Sequence, residues 1–196
     1  MLRGITPTDT DKRLRFLMFG PAGVGKTTAA IQMPSPYIID CEGGCVHYGA
    51  DIAAKGGVVF ETNDLGDIIQ EVRSLMSERH SYRTLVIDPF TQAYEMELER
   101  GEREVGTQFG RHYGHAAKRC KELFRLLDLV DMNVVVTCHE KNEYGDNMKV
   151  ERTTYDGWKR LDYRFDLVLE LNRAGATTRS ARVRKSRLPG FPDGDA

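Results

Sequence analysis

The chain has no apolar run as long as a bilayer crossing needs, so no membrane-spanning helix and no membrane partner are expected. Its start lacks the apolar core of a secretory signal, and the expected location is the cytoplasm, a host's cytoplasm if the protein is phage-encoded. Cysteine is scarce. Cys41, Cys45, Cys120 and Cys138 lie in or beside apolar segments and read as buried free thiols rather than a disulfide framework. Cys41, Cys45 and His47 offer three metal ligands without a convincing fourth. Charge of either sign is not in excess: a net charge of −1 excludes a uniformly basic nucleic-acid binder, though not a local basic patch. There is no internal repeat. What is left is 196 residues of ordinary globular composition, the length of one α/β domain.

Against these absences stands one strong signal. GPAGVGKTT, comprising Gly20, Pro21, Ala22, Gly23, Val24, Gly25, Lys26, Thr27 and Thr28, fits G-x-x-x-x-G-K-[ST]. The run from Arg15 to Phe19 before it reads as a buried strand. The run from Thr27 to Met33 after it reads as a short helix that Pro34 and Pro36 stop. Glycines let successive backbone N–H groups point inward around phosphate oxygens, and the helix N-terminus adds partial positive charge. Lys26 is expected on the β- and γ-phosphates, and the Thr27 hydroxyl on Mg²⁺. The expected ligands are a nucleoside triphosphate, ATP, and Mg²⁺.

The rest of the chain alternates strand and helix patterns. Strands are expected at Tyr37 to Asp40, Val58 to Phe60, Thr84 to Asp88, Asn133 to Cys138, Phe165 to Leu171 and 177–185. Helices are expected over 66–78, capped by Asn63 or Asp64, and from about Gly110 to Asp131, burying Tyr113, Ala116, Cys120, Leu123 and Leu127. The charged stretch 95–106 reads as a solvated helix face or a connector. Residues 139–158 read as an irregular, mobile loop, too long for a plain connector. Residues 1–14 read as a polar lead-in, 15–190 as the domain, and 191–196 as a tail. The fold class expected is α/β, with a mostly parallel twisted sheet covered by helices on both faces.

Two carboxylates refine the chemistry. Asp88 ends a buried strand and suits the Mg²⁺ side of the site. Pro89 follows it, so the base that activates water has to come from elsewhere. Glu42, just past the second strand in YIIDCEGG, is the best candidate, because carboxyl ends of parallel strands face the ligand crevice.

In order, GPAGVGKTT, IDCEGG, LVIDPF and VVVTCHE resemble the core of RecA-like P-loop ATPases. More narrowly, they resemble phage nucleotide-binding proteins grouped with RecA-like single-strand annealing proteins, over most of the chain. The resemblance implies that Glu42 activates the hydrolytic water. It gives His139 the place of a polar γ-phosphate sensor, where RecA has glutamine. It makes the loop after His139 a contact for single-stranded DNA, through Lys141, Tyr144, Lys149, Arg152 and Tyr155. It implies a homo-oligomer, ring or filament, with ATP at a subunit interface, and a single-strand-binding protein as a candidate partner.

The segment from Leu171 to Pro192 holds no acid but carries Arg173, Arg179, Arg182, Arg184, Lys185 and Arg187. RKSRLPG resembles a Lys-x-Arg element of RecA-like ring ATPases, which implies that Lys185 and Arg187 act in trans on a neighbour's nucleotide. Contact with a nucleic-acid backbone and a charged, aggregation-resistant strand edge are the other readings. A nucleotide kinase with the 139–158 loop as lid, and an annealing module holding ATP as a structural ligand, are rival functions.

Overall fold

Alternate residues of the apolar strands enter two separate cores, one on each face of a single sheet. The computed structural model describes residues 13–145, 149–191 and 194–195. The lead-in falls outside that range except for residues 13 and 14, whereas the expected tail holds a short edge strand at Gly194–Asp195. In chain order the elements are β1 (Arg15–Phe19), α1 (Lys26–Ala30), β2 (Pro36–Asp40), a 3₁₀ turn (Gly44–Tyr48), α2 (Gly49–Ala54) and β3 (Val58–Glu61). Then come α3 (Leu65–Ser77), β4 (Thr84–Asp88), α4 (Phe90–Val105), α5 (Arg111–Leu127) and β5 (Asn133–Cys138). They are followed by β6 (Glu140–Tyr144), β7 (Val150–Tyr155), β8 (Leu167–Arg173), β9 (Arg179–Ser186) and β10 (Gly194–Asp195).

The main sheet has the order β10-β9-β8-β1-β5-β4-β2-β3. From β8 to β3 every pairing is parallel, and β9 and β10 add an antiparallel edge. Leu17, Phe19, Ile39, Leu85, Ile87, Val134 and Val136 pack with α3, α4 and α5 on one face. Met18, Ile38, Val86 and Val135 pack with α1 and α2 on the other. Period-two alternation with both phases apolar is what a parallel sheet buried on both faces requires. The fold is the α/β P-loop architecture that the sequence leads one to expect.

Several details differ from the sequence expectation. The charged stretch forms the last part of α4 and presents Glu95, Glu99, Glu102, Arg103 and Glu104 to solvent as expected, but Glu97 is only 1 % exposed and is no solvated-face residue. It lies between α4 and α5 with Arg100, His115 and Arg119 around it. Tyr113 is exposed rather than buried, and its neighbour His112 faces inward in its place. β8 starts two residues later than expected, at Leu167. Residues 139–158 hold a second, two-stranded sheet: β6 and β7 pair antiparallel, with Glu140 opposite Tyr155. Among the described residues no helix is long and apolar enough to cross a membrane.

Candidate active site

Parallel strands deliver their carboxyl ends to one edge of the sheet, and β1, β2, β4 and β5 each contribute a candidate residue there. The loop after β1 needs its glycines. A β-carbon on Gly20 would run into the Leu171 carbonyl oxygen, and Gly25 adopts φ 103°, a region closed to most side chains. Lys26 opens α1 and its Nζ donates to the carbonyls of Gly20 (2.9 Å) and Pro21 (3.1 Å). Burial lowers its pKa, and the charges of Asp88 and Glu42 pull the other way.

Asp88 ends β4 almost wholly buried, and its carboxylate accepts the hydroxyls of Thr137 and Thr27. Burial pushes the carboxyl pKa up, while the two hydroxyls work against that shift. The Asp88 carboxylate accepts only neutral hydroxyls, and the nearby Lys26 charge does not cancel the cost of its burial. With the Thr27 hydroxyl this carboxylate forms a pair of hard oxygen donors facing the phosphate loop, which fits Mg²⁺. The residues present therefore suit the motif's expected ligands: glycine backbone and Lys26 for phosphates, Thr27 and Asp88 for the metal.

Glu42 is positioned by its neighbour Asp40. The buried Asp40 carboxylate accepts the backbone N–H groups of Glu42 (3.2 Å), Gly43 (2.9 Å), Gly44 (3.2 Å) and Cys45 (2.7 Å). This clamp fixes the turn after β2, in which Gly43 has φ 75°, and leaves the Glu42 side chain half-exposed at the site. Across the site, Glu42 Oε2 lies 3.3 Å from His139 Nε2. His139 is itself anchored: its N–H donates to Thr91 Oγ1 (3.0 Å), and the Thr91 hydroxyl donates to the Asp156 carbonyl (2.6 Å). The Asp156 N–H returns a bond to the His139 carbonyl at 2.8 Å.

A family model described as an AAA domain matches residues 12–188. The chain belongs to that AAA-domain family. The match spans strands β1 to β9, and nucleotide binding and hydrolysis are what an AAA domain is built for. No curated protein matches the sequence.

Within the AAA domain the other expected site residues separate into three groups. Lys185 and Arg187 lie at the opposite end of the sheet from the phosphate loop, since Lys185 pairs with Val168 at the start of β8. Lys185 Nζ donates to the carbonyls of Asp162 (2.7 Å) and Phe165 (2.9 Å), and Arg187 Nη2 to that of Tyr163 (3.1 Å). Neither reaches its own chain's nucleotide site. On the β6–β7 hairpin, Tyr144 and Lys149 are exposed, Lys141 pairs with Asp156 at 2.9 Å, and Arg152 pairs with Glu143. Tyr155 turns inward instead: its ring meets Phe19 edge-on and its hydroxyl donates to Asp162, so it presents no stacking face.

Sequence reasoning missed Asp40, Thr91 and Thr137, which position Glu42, His139 and Asp88. Thr137 carried a signal, being the one hydroxyl inside an otherwise apolar core strand. It counted Arg173 only as part of the basic run and did not place it at the phosphate loop, where its Nη2 donates to the Ala22 carbonyl at 3.0 Å.

Proposed function

We propose that this AAA domain is a Mg²⁺-dependent ATPase of RecA-like kind that acts on single-stranded DNA, in recombination or annealing, as a homo-oligomer. Gly20 to Thr28 hold the phosphates, Thr27 and Asp88 the metal, and Glu42 accepts the proton of the attacking water. His139 reports the state of the γ-phosphate.

The observation that carries this reading is the unbroken path from Glu42 to the β6–β7 hairpin. Glu42 meets His139, His139 and Asp156 are knitted through Thr91, and Asp156 pairs with Lys141 on the hairpin. A strand bound at the hairpin would thus press on the residue beside the candidate base. A cleft of about 640 Å³ at the hairpin's foot adds support. Tyr94, Tyr113 and Trp158 offer aromatic surface there, and Lys141 and Lys159 offer charge, the combination that single strands bind through stacking and phosphate contacts. The parts of the reading that concern annealing, assembly and a trans role for Lys185 and Arg187 rest on the RecA-like resemblance.

Steady-state ATP hydrolysis with and without single-stranded DNA, at two salt concentrations, tests it. Salt-sensitive stimulation that disappears in Lys26→Ala and Glu42→Gln is the expected result. ATP binding without stimulation at either salt would overturn the DNA reading. Phosphate transferred to an added nucleotide instead of to water would make the protein a kinase.

A further inference from the structure

The phosphate loop touches a cation that its motif does not include. β8 ends alongside the loop, so close that the Leu171 carbonyl blocks any side chain on Gly20. Two residues on, Arg173 closes β8 and its Nη2 donates to the Ala22 carbonyl. A β-carbon on Gly23 would stand 2.9 Å from the same nitrogen. The guanidinium thus lies along the Ala22–Gly23 stretch.

By the chemistry of the motif, that stretch would border the γ end of a bound nucleotide. The lysine of this motif serves the β- and γ-phosphates, and Lys26 Nζ lies against the carbonyls of Gly20 and Pro21, the two residues before Ala22. Arg173 is exposed, and among the described residues no carboxylate pairs with it. Arg179, opposite Arg173 on β9, turns its guanidinium to the carbonyls of Gly175, Ala176 and Thr178 in its own turn, and Arg184 on the same strand is held by Glu170. A guanidinium has five N–H donors in a fixed fork, and the bond to Ala22 uses one. Glu42 flanks the loop from the β2 side and Arg173 from the β8 side, with β1, β5 and β4 between.

We propose that Arg173 is an arginine finger acting in cis, which contacts the γ-phosphate and stabilises the charge that develops during hydrolysis. The inference rests on the ATPase reading, not on the DNA reading. Water attacks the γ-phosphorus and gives its proton to Glu42. The bond to the bridging oxygen breaks and its electron pair leaves with ADP, while Arg173 offsets the negative charge on the transferring group and takes no covalent part. Fingers of this kind also work within one chain. Lys185 and Arg187 cannot fill the role in their own subunit.

The test uses R173A and R173K in the full chain, with three readouts: affinity for a fluorescent ATP analogue, single-turnover hydrolysis without DNA, and trapping of ADP with aluminium fluoride as a transition-state mimic. R173A is expected to bind ATP within about threefold of the wild type, to hydrolyse it about 10²-fold or more slowly, and to form no trapped complex. R173K keeps the charge without the fork and should recover part of the rate. A trapped complex as stable in R173A as in the wild type would overturn the proposal. So would a parallel fall in ATP and ADP affinity, which would show that the arginine only props the loop. Absence of hydrolysis and of trapping in the wild type would sink the ATPase reading and this inference together, an outcome distinct from the other two.

Discussion

His139 Nε2 stands 3.3 Å from Glu42 Oε2, joining the ends of β5 and β2 over the end of β4, where Asp88 lies. Both side chains are about two-fifths exposed, so the pair contributes about 1 kcal/mol at most. That magnitude separates two roles. If His139 only steadies Glu42, His139→Ala slows hydrolysis by no more than about fivefold. If it also contacts the γ-phosphate, the loss is larger. Glu42→Gln should reduce turnover by about 10²–10⁴-fold while ATP affinity stays within about threefold. Turnover and nucleotide affinity measured on both variants decide the matter, and an active Glu42→Gln protein would remove Glu42 from the chemistry.

Asp88 works against the stability of the nucleotide-free fold. Burial raises its pKa above the ordinary value of 3.8, so between the unfolded and folded pKa values the native state binds more protons than the unfolded chain. Stability therefore falls as pH rises through that window, and the deficit persists at neutral pH. Asp88→Asn removes the buried charge and keeps the shape. We expect its melting temperature at pH 7 to rise by about 2–4 °C, the shift produced by about 1 kcal/mol in a domain of this size. The variant should also lose Mg²⁺-dependent hydrolysis and the extra stabilisation that Mg²⁺ with ATP gives the wild type. Thermal melts with and without Mg²⁺ and nucleotide read both effects. A melting temperature below the wild type's would contradict the account of Asp88 as a strained metal ligand.

Asp40 has the opposite balance. Its buried carboxylate satisfies four consecutive N–H groups at the turn that carries Glu42. Asp40→Ala orphans them, and hydrogen bonds to a charged acceptor are worth about 1.5–3 kcal/mol each without being additive. A loss of about 3 kcal/mol in urea unfolding is expected, together with a hydrolytic defect approaching that of Glu42→Gln. Asp40→Asn, with one acceptor oxygen, should fall between. Full activity in Asp40→Ala would mean that the turn holds Glu42 by other means.

The parts of this fold legible in the sequence were those where one physical constraint dominates. Asn133–Cys138 and Thr84–Asp88 appear with the expected bounds because a strand buried on both faces leaves only apolar runs. The phosphate loop was legible because close backbone approach admits only glycine at Gly20. The β6–β7 hairpin was not: EKNEY and VERTTY are largely solvated, so no apolar alternation marks them. Glu97 and Arg173 escaped for a related reason. A charge in a sequence reads as surface, and only the packing of α4 on α5, or of β8 on the phosphate loop, reveals what it faces. The Glu42–His139 contact joins positions nearly a hundred residues apart, and only the strand order brings them together.

The hairpin's attachment gives the last test. Glu170 on β8 is 6 % exposed and accepts from Arg184 Nη1 (3.0 Å) and from the Thr153 hydroxyl (2.5 Å), while Arg184 Nη2 reaches the Thr153 carbonyl (3.4 Å). Residues on β8, β9 and β7 thus share one buried carboxylate. Removing its cation leaves a charge without compensation, so Arg184→Ala should lower stability by about 3 kcal/mol. Glu170→Gln added to Arg184→Ala should restore part of that loss, because the amide can still bond Thr153. Hydrogen exchange over residues 140–155 is the sharper readout. Protection there should drop in Arg184→Ala while α1 and β1 stay protected. If the hairpin carries the response to single-stranded DNA, stimulation disappears in this variant and basal hydrolysis persists. Unchanged protection over 140–155 would show that the β6–β7 pairing is held by something other than this carboxylate.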